Sequence, residues 1–127
     1  DGDIGIIGNG AGLVMATLDL VSHFGGKPAN FLDVGGGGDV EITKKALRLV
    51  MSKPEVKVTL INILGGITRC DIVAQAIIEA LDEAPVKKPV VVRMMGTNEE
   101  EGIRMLNEAG IDIYPNVETA IEELLRI

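Results

Sequence analysis

Val56-Lys57-Val58-Thr59-Leu60-Ile61-Asn62-Ile63-Leu64, running straight into Gly65-Gly66, is the longest apolar run in the chain. A run rich in β-branched residues and closed by a glycine pair predicts a central strand buried on both faces. Such a strand needs helices on both sides. The chain supplies them, because short β-like runs alternate with helix-period segments in both directions from it. Upstream, Ile4 to Ile7 read as a strand that enters Gly8-Asn9-Gly10-Ala11-Gly12. A helical face of Val14, Thr17, Leu18 and Val21 follows and stops at Gly25-Gly26. Phe31 to Val34 predict a second strand ending in Gly35 to Gly38, and Asp39 stands where it would cap a helix carrying Ile42, Ala46, Leu49 and Val50.

Downstream of the central run, Thr68 and Asp71 are spaced as a capping box before Ile72, Val73, Ala76, Ile77, Ala80 and Leu81. Val90 to Met94 give a fourth strand, and Asn98 and Glu101 open a helix with Ile103 and Leu106. Ile111 to Tyr114 form a fifth, short strand, and Asn116 caps a last helix built on Val117, Ala120, Ile121, Leu124 and Leu125. Residues 1–127 therefore read as one α/β domain: a flavodoxin-like, doubly wound, five-stranded parallel sheet, ordered 2-1-3-4-5 by analogy, with helices on both faces.

Composition narrows the function classes. A net charge of −7 argues against a nucleic-acid footprint or a basic membrane patch. The single Cys70 cannot form an internal disulfide, which points to a reducing compartment, the cytoplasm. No apolar run approaches a membrane span, and the chain opens on Asp1 like a piece of something longer. With no Trp and only Phe24, Phe31 and Tyr114 as aromatics, base- or flavin-stacking platforms are scarce.

Three glycine-rich turns each follow a strand and precede a helix, so all three fall on one carboxyl edge of the sheet, where such folds bind ligands. Glycine admits a ligand close to the backbone, and helix N-termini offer free N–H groups to phosphate or carboxylate. The first turn matches the dinucleotide fingerprint only in part, since Leu13 or Met15 stands where its third glycine belongs. Asp33 does stand where a ribose-binding acid would, which keeps open a stand-alone Rossmann- or flavodoxin-type nucleotide-binding module. His23 has no acid or serine neighbour in sequence and reads as a helix-end histidine. Cys70 lies in a first helical turn, where the dipole would lower its pKa, yet it reads better as a packing residue. The acids at Asp82, Glu83, Glu99 to Glu101, Glu118, Glu122 and Glu123 read as solvated helix faces, not as a metal site.

Three segments carry a family resemblance: Asn9-Gly10-Ala11-Gly12-Leu13-Val14-Met15-Ala16-Thr17, Pro28-Ala29-Asn30-Phe31-Leu32-Asp33-Val34-Gly35-Gly36-Gly37, and Asn62-Ile63-Leu64-Gly65-Gly66-Ile67-Thr68-Arg69-Cys70-Asp71. In this order they resemble the C-terminal ligase domain of the succinyl-CoA synthetase β subunit, and Pro89 to Arg93 with Gly96-Thr97-Asn98 extends the likeness. The resemblance implies an acid–thiol ligase. In it, ATP or GTP with Mg²⁺ is held by an upstream ATP-grasp domain, and CoA and a transiently phosphorylated histidine belong to a partner α subunit. A dicarboxylate, succinate first, is the acyl acceptor. The same resemblance places Asn9, Gly66, Ile67 and Thr68 at the substrate and phosphate, with Gly65 and Arg69 supporting the helix end. It implies no catalytic residue, cofactor or metal ligand in this chain itself, and a mitochondrial matrix location if the source is eukaryotic. Thr68 stands where an apolar residue is common in the family, so malate or another acid remains open.

Overall fold

The computed structural model describes residues 2–30, 32–34, 40–84 and 88–127, and for residues 65–68 the backbone alone. Its elements alternate as β1 (Ile4–Gly8), α1 (Ala11–His23), α2 (Val40–Met51), β2 (Val58–Arg69), α3 (Cys70–Glu83), β3 (Val90–Thr97), α4 (Glu99–Glu108), β4 (Asp112–Ile113) and α5 (Val117–Leu124). The four strands are parallel in spatial order β1-β2-β3-β4. β2 is central, as its sequence predicts, and Val58 to Ile63 are buried without a break.

Pleat alternation splits the core into two layers. Ile7, Ile61, Ile63, Val92 and Met94 point to one face, where they pack on Leu47 and Val50 of α2, Val73 and Ile77 of α3, and Leu106 of α4. Ile4, Ile6, Leu60 and Val91 point to the other face, against Val14 and Val21 of α1 and Ile121 and Leu124 of α5. Both faces are thus closed by the chain's own helices, which is the doubly wound arrangement.

The predicted second strand, Phe31 to Val34, does not form a regular ladder. Its place beside β1 is kept by two isolated parallel bridges, Ile4 to Pro28 and Gly8 to Asp33, so the spatial order matches the expected 2-1-3-4-5. The backbone still joins at three points: Ala29 N–H donates to Ile4 O (2.7 Å), Gly8 N–H to Leu32 O (3.1 Å) and Val34 N–H to Gly8 O (2.9 Å). Between them the Asn30 side chain substitutes for a peptide unit. Its Oδ1 accepts from Ile6 N–H (3.1 Å), and its Nδ2 donates to Ile6 O (2.8 Å). An amide side chain satisfies both groups of a buried strand residue while letting the edge segment wander.

Other expectations shift by a residue or more. The apolar face assigned to α2 is rotated: Ile42 and Leu49 are over half exposed, and Thr43, Lys44, Leu47, Val50 and Met51 are buried. The ion pairs explain the rotation, because Lys44 Nζ reaches inward to Glu79 (3.2 Å) and Glu83 (3.1 Å) of α3. Those carboxylates raise the Lys44 pKa further, through hydrogen bonds to Glu83 and then Glu79. The cap assigned to Asp39 falls outside the described residues. The Asn116 cap is present as predicted, its Oδ1 accepting from Thr119 N–H at 2.8 Å.

Candidate functional site

The first glycine turn meets the end of β2 at the carboxyl edge, and side chains pin it to its neighbours, while Gly35 to Gly38 lie outside the described residues. Gly8 lets the first turn of α1 sit close, since a Cβ there would lie 2.9 Å from Val14 Cγ2. Gly10 follows at φ 116°, a conformation that L side chains rarely adopt, and serves as the N-cap of α1. Its N–H donates to Asp33 Oδ1 at 2.6 Å, which ties the edge segment to the first turn. Asn9 ties the same turn to the central strand, with Nδ2 donating to Leu64 O (2.5 Å) and Oδ1 accepting from Leu64 N–H (2.9 Å). Asn9 and Asn30 therefore use one device: an asparagine amide that stands in for a missing strand residue.

The segment predicted as a turn, Gly65-Gly66, belongs to β2, which continues to Arg69 with a register irregularity between Gly65 and Arg69. Gly65 pairs with Gly96 of β3, and Arg69 pairs with Thr97. The capping box predicted from Thr68 and Asp71 turns on a Thr68 side chain outside those described. The N-cap of α3 is Arg69 in extended conformation, and its own side chain makes no cap. Asp71 instead turns to Arg69, bonding Nη2 at 2.7 Å and Nε at 3.2 Å, with Asn98 Nδ2 donating at 3.4 Å. A bidentate guanidinium is a strong partner for a carboxylate.

Of the residues singled out from sequence, Asn9 is thus brought directly onto Leu64, at the threshold of Gly65, Gly66, Ile67 and Thr68, which follow in β2. Arg69 is half-exposed and held by Asp71. Cys70 is fully buried, and burial pushes its thiol pKa up, aided by Glu99 and Asp71; it packs in the core as expected, and the dipole does not activate it. Asn98 opens α4 as its N-cap, where sequence placed it, but as the one non-glycine residue at positive φ among those described (58°) and without a side-chain cap. The signal was present in Gly96-Thr97-Asn98, because asparagine tolerates the left-handed region best among non-glycine residues.

Electrostatics divide this edge in two. α1 begins with no side-chain cap and no acid in its own first turn, with the Asp33 carboxylate at its N-cap accepting from Gly10 N–H. α4 begins with Glu99, Glu100 and Glu101, and Glu99 accepts from Gly96 N–H (3.1 Å). A recess of about 610 Å³ beside α4 is lined by Gly96, Asn98, those three glutamates and Arg104. Arg104 is itself held by Glu101 and Glu108. α4 thus brings three acids to the edge, α3 brings one, Asp71, paired with Arg69, and α1 brings none in its own first turn. A larger recess, about 710 Å³, lies at the amino edge among Lys45, Arg48, Leu49 and Lys88, remote from the glycine turns.

The Arg69–Asp71 pair has a pH signature. Arg69, then Asn98, hold the Asp71 carboxyl below its ordinary 3.8, so the folded pKa is depressed. The resulting stability is present above pH 3.8 and is lost as pH falls through the folded value. Asp71→Asn should accordingly be less stable than the parent at pH 7, with the gap closing below pH 3.8 in acid-denaturation curves. A gap unchanged down to pH 2 would show that charge is not what Asp71 contributes (a window of about two units, as expected for depressed carboxyls).

Comparison with known proteins follows the same geometry. The CoA-ligase family pattern matches residues 7–126. The chain is 56% identical, over its full 127 residues, to the succinate–CoA ligase [ADP-forming] β subunit of Desulfurococcus amylolyticus, and covers 34% of that protein. It is 56% identical over 122 residues to the succinate–CoA ligase [GDP-forming] β subunit of Thermus thermophilus, covering 96% of this chain and 32% of the relative. The chain thus spans about a third of the length of the relatives it matches. Among solved structures, ATP citrate lyase from Methanothrix soehngenii, in complex with citrate and coenzyme A, superposes with TM-score 0.79 at 19% identity, over 99% of this chain and 39% of that one. A dinucleotide-forming acetyl-coenzyme A synthetase from Ca. Korarchaeum cryptofilum, in complex with phosphate and ADP, superposes with TM-score 0.79 at 24% identity, over 95% and 31%. Both show the shared fold.

Proposed function

This chain belongs to the CoA-ligase family, and on that premise we propose that it serves as the ligase domain of a succinate–CoA ligase β subunit, forming acyl-CoA together with an α subunit and an ATP-grasp domain. The observation that carries the reading is the match over the whole chain at 53–56% identity to β subunits of that name. In this reading Asn9, Gly66, Ile67 and Thr68 meet the dicarboxylate and the phosphoryl group, with Gly65 and Arg69 supporting them. The open N-terminal end of α1 and the start of α3 donate N–H groups to carboxylate or phosphate oxygens as charge develops there. Asn9 holds Leu64, and through it the strand end that carries Gly65 to Thr68. The enzyme works in the cytoplasm, or in the mitochondrial matrix of a eukaryote.

Nucleotide, Mg²⁺ and CoA supply phosphoryl transfer and the acyl carrier, and this reading assigns them to the rest of the enzyme. Among the described residues no three of His, Cys, Asp and Glu converge as a metal cluster. The rival reading, a Rossmann-type nucleotide module, needs Asp33 for a ribose. Asp33 is instead bonded to Gly10 N–H at 2.6 Å, inside the turn that a pyrophosphate would approach.

A domain exchange tests the proposal. The chain replaces the matching third of the Thermus thermophilus β subunit, 56% identical to it, and the chimera is assembled with its α subunit. Acyl-CoA formation from succinate is expected, with the isolated chain inert in the same assay. A folded, assembled chimera that turns over no dicarboxylate would refute the reading.

A further inference from the structure

On the α1/α5 face, a polar chain runs through the core in one forced direction. Thr17 Oγ1 donates to Leu13 O (2.7 Å), so it must accept from Asn62 Nδ2 (2.9 Å), and that leaves Asn62 Oδ1 to accept from Arg93 Nη1 (3.2 Å). Thr17 and Asn62 are buried and fully used. Arg93 is half-buried and is not. Its Nε is buried with no hydrogen-bond partner, and no acid forms an ion pair with it among the described residues. One neutral acceptor at Nη1 leaves the Nε–Nη2 edge of the guanidinium unmatched, and that is the edge a carboxylate engages with two parallel hydrogen bonds.

The surroundings make an internal answer worse. Asn62 and Arg93 are register partners on β2 and β3, near the carboxyl edge. The next pair on the same face, Leu64 and Met95, is about two-fifths exposed on both sides. α1 and α5 both cover this face and both run from the carboxyl edge, so their positive ends lie at the same end of the sheet as Arg93. A half-buried cation among positive helix ends, its inner N–H unbonded, is unfavourable until an anion meets it.

We infer that Arg93 is a carboxylate-binding residue: it receives an acid from outside the described chain at the open Nη2 corner, and a small outward turn of the guanidinium adds Nε as second donor. Two sources carry that chemistry, an acidic side chain of a protein packed over Leu64 and Met95, or a small dicarboxylate. The inference does not depend on the proposed function, since it rests on the unmatched guanidinium alone.

The test follows the Arg93 Nε–H signal by ¹⁵N NMR of the 127-residue chain, titrated with sodium acetate and with sodium succinate against sodium chloride of equal ionic strength. A saturable carboxylate-specific shift is expected, absent in Arg93→Gln. Equal response to acetate and succinate per carboxylate assigns the site to a single acid side chain, and a markedly tighter succinate response assigns it to a small dicarboxylate. Thermal melts separate a structural role, because Arg93→Met gives up the bond to Asn62 Oδ1 and should melt lower in chloride, and beyond that it should lose the carboxylate-dependent rise. A shift no larger than that in chloride overturns the inference, and so does a carboxylate-dependent rise in melting that survives in Arg93→Met.

Discussion

Gly102→Ala should be among the most destabilising single-methyl additions in this chain. Gly102 lies in α4 where that helix crosses the start of α3, and an added Cβ would sit 2.8 Å from Cys70 O, 2.9 Å from Cys70 C and 3.0 Å from Met94 Sδ. Two of those atoms are backbone at the first residue of α3, so the methyl cannot be accommodated by turning a side chain. α4 must move off α3, at a cost of roughly 1–3 kcal/mol for overpacking of this kind. For a domain of this size that is roughly 3–10 °C in Tm. Gly12→Ala is the matched control, because it lies in α1, its φ is ordinary and nothing stands within 4 Å of the added Cβ. It should raise stability by about 0.4–1 kcal/mol, as Gly to Ala does at a compatible helical site. Calorimetry of both variants decides it. If Gly102→Ala melts with the parent, α4 is not held against Cys70 as described.

Much of this architecture was legible in the sequence because its signals are local or strictly periodic. The run from Val56 to Leu64 could only be a strand buried on both faces, and Asn116 could be recognised as a cap from its own position. What escaped is what depends on contacts distant in sequence. The inward turn of Lys44 needs Glu79 and Glu83 on another helix, and it rotates the α2 face away from Ile42 and Leu49. Asp71 carries the spacing of a capping box, and the pairing it makes with Arg69 and Asn98 was not foreseen. The second strand looked complete in isolation, and only the Asn30 amide, bonded to Ile6, shows why its ladder is interrupted. The glycine stretches read as turns on one edge, and the structure instead carries Gly65-Gly66 within β2. The side chains that lock those turns together, Asn9 on Leu64 and Asp33 on Gly10, were read only as ligand contacts.

That difference changes what Asn9→Ala should do in the assembled enzyme. A pure ligand contact would cost activity and leave the domain's stability untouched. Here the substitution also removes both hydrogen bonds to Leu64, at 2.5 and 2.9 Å, and releases the strand end that leads into Gly65 to Thr68. Losing a hydrogen bond to the charged acid costs roughly 1.5–3 kcal/mol, so kcat/KM for the acid should fall by about ten- to a hundredfold, while the two neutral bonds to Leu64 contribute roughly 1–3 kcal/mol to stability. Thermal stability should fall in parallel, by an amount that a ligand contact alone would not produce. Phosphorylation of the partner histidine by nucleotide should survive, since the proposed reading places it at another site. Asn9→Asp sharpens the comparison: it keeps the acceptor for Leu64 N–H but sets a second carboxylate oxygen against Leu64 O, so the tether fails again, with charge added. Asp33→Asn keeps an acceptor for Gly10 N–H and should leave acid turnover far less affected. Steady-state kinetics with the acid, paired with melting curves for all three variants, give the answer. Intact acid turnover in Asn9→Ala, with nucleotide binding to this domain abolished in Asp33→Asn, would reverse the assignment in favour of a ribose-binding Asp33.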